Sequence, residues 1–206
     1  MSGAHERLKV HRRTIKLDHK TTTVLALRPD ASMHYSTSHE GGAWQIHVDA
    51  TSAQLLGRLC WAMAFQRHPH TVTVIDQAWA APLDGESVPS LPLLIANVDN
   101  GPFTSQAGQE LASALPLHTP SEGTVVLQTR GLDLALEDPV AFAARDEQSG
   151  GSGPDRWCDE LEGLVAILAP TTALRSLGVA LSSNRNLSQG FVIADDVAPG
   201  AQSAVR

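Results

Sequence analysis

Apolar and polar residues alternate through the first fifty positions, the period of strands with one face on a core. Leu8 and Val10 keep one parity and Ile15 and Leu17 the other, which predicts a bulge between Arg12 and Arg13. Thr23 to Leu27 reads as a second strand, closed by the turn signal Arg28-Pro29-Asp30. Gly41-Gly42 tolerates the positive φ of a two-residue hairpin turn. Pairing Glu40 with Ala43 around it sets Tyr35 opposite Val48 and Thr37 opposite Ile46. Met33, Tyr35, Thr37, Trp44, Ile46 and Val48 then share one face, and His34, Ser36, Ser38, Gln45, His47 and Asp49 the other. A slip of one residue would mix the two sets, so the pattern fixes the register.

From Thr51 the period becomes helical. Thr51, with Gln54 three positions on, has the spacing of a capping box and predicts a helix from about Ser52 to Arg67, stopped before Pro69. Leu55, Leu56, Leu59, Cys60 and Met63 cluster on one side of it, while Trp61 and Phe65 lie nearly opposite. A helix apolar on two sides is either sandwiched within its own domain or half-covered by another chain. The reading adopted is the second, with Trp61 and Phe65 as interface residues that a partner covers.

Beyond Thr71, strands alternate with helices. Val72 to Ile75 and Leu93 to Val98 are short strands, the second apolar on both faces and therefore central. Ala81 to Pro92, with its prolines, is a surface loop. Ser105 to Leu115 is a helix ended by Pro116, Thr124 to Gln128 a strand, and Asp138-Pro139 the start of a short helix. Trp157, Leu161, Leu164 and Leu168 recur at helical spacing, as do Leu174, Leu177 and Leu181, and Phe191 to Ala194 is a last strand. The predicted organisation is a mixed sheet and helix domain over 1–148, a Gly/Ser linker over 149–154, C-terminal helices and the last strand over 155–198 on the same core, and a disordered tail over 199–206. The fold class is α+β or mixed α/β: an N-terminal antiparallel meander joined to a mixed sheet packed by helices, with a helical C-terminal part.

At 206 residues, 42% hydrophobic and 18% charged, the chain has enough apolar content for a real core. Two cysteines exclude a disulfide framework, and Cys60 and Cys158, both placed in helices, read as reduced thiols, which points to the cytoplasm. No apolar run is long enough for a membrane span, so no membrane partner is expected. Arginines outnumber lysines 12 to three and alanine is abundant, a bias that fits a GC-rich bacterial genome. The net charge of -7 weighs against nucleic acid as a partner. Residues 1–20 form a basic arm, but one without aromatic residues for base stacking. Attraction between that arm and the acidic stretch Asp133 to Glu162, within the chain or between subunits, explains the arm at least as well as contact with phosphates does.

Two constellations offer chemistry. The hairpin register sets His34 across from Asp49 with His47 beside it, two imidazoles and a carboxylate of the kind that hold Zn²⁺. Asp76, Asp99 and Asp195 each follow a strand, and converging carboxylates at strand ends can hold Mg²⁺ for phosphoryl transfer. Water explains the first pattern as well, and turn preference the second. No glycine-rich phosphate loop or nucleophile elbow accompanies either. The expected function is therefore that of a non-catalytic protein acting through protein contacts, as a homo-oligomer, adaptor, immunity-type or chaperone-like component, with no cofactor and no catalytic residue. The alternative is a metal-dependent hydrolase or phosphoryl-transfer enzyme using one of the two constellations with Mg²⁺ or Zn²⁺.

Overall fold

Strands β1 (Arg7–Leu17) and β2 (Lys20–Ala26) are joined by Asp18 and His19, whose positive φ values of 47° and 61° make the tight turn that suits twisted strands. Strands β3 (Met33–Glu40) and β4 (Ala43–Val48) form a second hairpin in the register required by its two-faced pattern, with Tyr35 on Val48 and Thr37 on Ile46. The structure is a computed structural model and describes residues 7–28, 30–31, 33–40, 43–76, 80–81, 90–148, 158–183 and 191–193. Gly41-Gly42, the stretch 149–157 with Trp157, the Asp195 position and the tail over 199–206 lie outside the described residues.

The remaining elements are α1 (Ala50–Ala64), β5 (Thr71–Ile75), β6 (Ala80–Ala81), β7 (Leu93–Asn97), α2 (Ser105–Ala114), β8 (Gly123–Gln128), α3 (Leu132–Glu137), α4 (Pro139–Gln148), β9 (Cys158–Leu161), β10 (Leu164–Ala169), α5 (Thr171–Ser183) and β11 (Phe191–Ile193). The fold is α+β. A seven-stranded mixed sheet runs β8-β1-β2-β5-β7-β10-β9, and a smaller one runs β11-β4-β3-β6. The four N-terminal strands are thus divided between two sheets, because β3 and β4 lay their apolar face on α1 instead of continuing from β2.

Both faces of the large sheet are covered. Leu8 and Val10 of β1 join the core made with α1, α5 and the small sheet, whereas Ile15 and Leu17 join a second core under α2. This explains the parity change in β1 without a bulge: its pairings to β2 and β8 run unbroken from Arg7 to Leu17. Strands β5 and β7 are buried at every position, as expected of central strands.

The segment from Trp157 to Leu168 is not a helix where it is described. It is the hairpin β9–β10, turned at Glu162 and Gly163 with φ values of 54° and 87°, and Cys158 opens its first strand. Strand β10 lies between β7 and β9, so an all-apolar sequence, Leu164 to Ala169, is buried on two faces. Only α5 is helical among the described residues after 157. None of the described helices is long and apolar enough to cross a membrane.

Candidate functional site

Helix α1 organises most of the groups singled out above. Its N-cap is Asp49, not Thr51: the Ser52 amide donates to Asp49 Oδ1 at 2.7 Å, and the Ser52 hydroxyl accepts the His34 amide at 2.8 Å. The hairpin register brings His34 Nδ1 to 3.1 Å from Asp49 Oδ2, as the pattern of faces requires. Partial burial raises the Asp49 carboxyl, but the Ser52 amide, its hydroxyl and His34 together hold it below its ordinary value. His47 lies on the same face but its ring meets a different partner, its Nε2 at 2.9 Å from Ser38 Oγ. The two imidazoles are thus each engaged with a different partner. Among the described residues no group of three His, Cys, Asp or Glu side chains comes together to hold a metal, so His34, His47 and Asp49 do not form the triad of the alternative reading. What they form is a helix cap and a cross-strand hydrogen bond on a wet face.

The aspartate set is dispersed for a topological reason. Strands β5 and β7 are antiparallel, with Val72 on Ala96 and Ile75 on Leu93. Asp76, just after β5, and Asp99, just after β7, therefore lie at opposite ends of the sheet and cannot share one ion. Asp195 is outside the described residues. Asp99 serves the backbone instead, its Oδ2 accepting the Thr171 amide at 2.8 Å and so capping the start of α5. Asp76 is buried at the edge of an open cleft of about 230 Å³ bordered by Leu91, Pro92, Leu115 and Pro116. Burial raises the hydroxyl of Tyr35 well above its ordinary value, and the charge of Asp76 pushes the same way. That hydroxyl donates to the Leu91 carbonyl at 2.7 Å.

Trp61 does not face a partner. It is 3% exposed, and the helices of its own chain cover it: Leu132 and Ala135 from α3, Phe142 from α4 and Val179 from α5. Its indole Nε1 donates to the Arg130 carbonyl at 3.3 Å. At Trp61 the second apolar side of α1 is therefore sandwiched within the molecule. Phe65, one turn on, is 51% exposed, and its ring centroid lies 5.4 Å from that of Trp61. The Arg175 guanidinium spans the cluster at 5.8 Å from Trp61, 5.8 Å from Phe65 and 5.1 Å from Phe142. Helices α3 and α4, which close over Trp61, turn Leu134 (70% exposed) and Val140 (80% exposed) to solvent, in a stretch that also exposes Asp133, Glu137 and Asp138. Leu134 and Val140 carry no mark in the sequence beyond their place in the acidic stretch, which stands out there for charge alone.

The basic arm is strand β1. Arg12 pairs with Glu122 at 3.2 Å, and Arg13 Nε donates to the Thr119 carbonyl at 2.8 Å, so these two charges meet the segment before β8. The chain matches no family model, no curated protein and no solved structure.

Proposed function

We propose that this protein works through protein contacts rather than through chemistry of its own, and that its contact face is the α3–α4 surface. The observation that carries the reading is the pair Leu134 and Val140, large apolar side chains left in water and flanked by Asp133, Glu137 and Asp138. Exposed aliphatic side chains in an acidic stretch call for a partner segment that presents aliphatic side chains between lysines or arginines. Arg175, wedged among Trp61, Phe65 and Phe142, stiffens the platform beneath, so that little ordering cost falls on binding.

The test uses a helical Lys/Leu peptide as probe, with a Glu/Leu peptide of the same length as control, followed by calorimetry. The expected result is binding of the basic peptide alone, weakened by salt and abolished in the Leu134→Ser/Val140→Ser variant. Equal binding of both peptides, no binding, or binding unaltered in the double variant would overturn the reading.

A further inference from the structure

The strand order leaves β8 and β9 as the outer strands of the large sheet. Outer strands expose a row of backbone donors and acceptors, and soluble proteins guard them with charge, proline or shortness. Strand β9 has such guards: four residues long, with Asp159 and Glu160 in the middle. In the small sheet, β6 has two residues and β11 three. Strand β8 has none of these devices. It is six residues, Gly-Thr-Val-Val-Leu-Gln, uncharged, free of proline and rich in β-branched side chains, and it pairs only with β1 among the described residues.

We infer that β8 is a self-pairing edge, taking the β8 of a second copy in antiparallel register about Val126. This goes beyond the proposed α3–α4 contact and does not rest on it. Three features set the register. Two antiparallel strands related by a two-fold axis through the sheet must place one residue opposite its own copy, which excludes half of all registers. The alternation of β8 then matters: Thr124, Val126 and Gln128 are exposed, while Leu127 is buried beneath the sheet and Val125 half-buried. Centring on Val126 makes the exposed row self-complementary, with Thr124 opposite Gln128 and the 39% exposed Val126 packed on its mate. The same register leaves Gly123, whose φ of 146° departs from strand geometry, outside the paired stretch. It also sends the Glu122 end of one strand toward the Arg130 end of the other, twice over, whereas a parallel arrangement would set like charges side by side. The occupant is therefore a second copy of this chain.

The experiment is cysteine cross-linking joined to light scattering over serial dilution. Cys60 and Cys158 are buried, so a cysteine introduced on β8 is the accessible thiol of the native chain. With a mild added oxidant to accept the two electrons and two protons, Val126→Cys should give an interchain disulfide dimer on a non-reducing gel. Thr124→Cys should link when mixed with Gln128→Cys but not to itself. Val126→Lys puts two ammonium groups on the axis and should raise the dimer dissociation constant about tenfold or more with unchanged circular dichroism. A wild-type chain that scatters as a monomer at every concentration would overturn the inference. So would a dimer that forms without the Val126→Cys cross-link or that survives Val126→Lys, since it would use another face. None of these variants touches Leu134 or Val140, so peptide binding there reports separately on the α3–α4 reading.

Discussion

Asp49 shows how much one side chain carries. Its carboxylate caps α1 through the Ser52 amide and meets His34 across the hairpin, which ties β3 to the helix that follows the hairpin. Because its folded-state pKa is lowered, the stability it contributes is present above its unfolded value of about 4 and is lost as pH falls through the lower folded value. Asp49→Asn keeps a capping oxygen but cannot titrate. Its unfolding free energy should therefore fall less steeply than the wild type's between about pH 5 and pH 2, measured by urea titration at each pH. Asp49→Ala, which removes the cap itself, should cost about 1 kcal/mol at neutral pH. Cys60 is a contrasting case: burial pushes its thiol up to about 12, so it has almost no thiolate at neutral pH. Both native cysteines should resist an aromatic disulfide reagent until the chain is unfolded, and then react together; a thiol that reacts at once in the native state would contradict their burial in the core. The His34 and Asp49 pairing was legible because an antiparallel register follows from two distinct faces. The dispersal of His47 toward Ser38 was not, since a rotamer choice leaves no mark on the pattern.

Helix α1 was readable as an apolar rod on two sides, but nothing in its own residues says that α3, α4 and α5 supply the second cover. Its crossing with α5 rests on Gly57 and Gly178, where backbone meets backbone. A Cβ at Gly57 would lie 2.3 Å from Ser182 Oγ and 2.7 Å from the Gly178 carbonyl, so the helices must separate to admit it. Alanine in place of glycine would gain up to about 1 kcal/mol of helix propensity on an exposed helix; here overpacking outweighs that gain, and Gly57→Ala should destabilise by about 1–3 kcal/mol in chemical denaturation. The far end of α1 is finished by a residue from β7. Buried Asn97 donates from Nδ2 to the Met63 and Ala64 carbonyls and to Thr171 Oγ1, and accepts the Asp99 amide. Asn100 adds a donor to the Gln66 carbonyl. Asn97→Ala should cost about 1–3 kcal/mol by stranding these groups, and Asn97→Asp should rescue little, because it restores only the acceptor. The segment after β7 thus closes one helix and starts another, a use of Asn and Asp that shows in the sequence only as turn preference. The β9–β10 hairpin was not legible there because leucines spaced by three and four fit a helix, while a strand buried on both faces has no alternation to show.

Whether the stretch after the Gly/Ser linker forms part of the main body depends on strand order, which no local pattern encodes. The antiparallel course of β5 and β7, which separates Asp76 from Asp99, had one available sign: no helical period lies between them, and a parallel return usually needs a helix. The place of β10 had no such sign. It runs parallel to β7 after an excursion through α2, β8, α3, α4 and β9, and it supplies Val165, Ile167 and Ala169 to one core and Leu164 and Ala166 to the other. Helix α5 adds Leu174, Leu177 and Leu181 beside α1. Removing this part would uncover β7 along its whole length and the α1 side that faces α5, an exposure far larger than a marginally stable domain tolerates. A protease site inserted between Gln148 and Cys158 tests the point directly. After cleavage the two pieces should still elute together, keep the circular dichroism of the intact chain and melt in one transition, and they should part only in denaturant. Pieces that separate in plain buffer, with the first retaining its own cooperative transition, would mean that the seven-stranded sheet is not one folding unit.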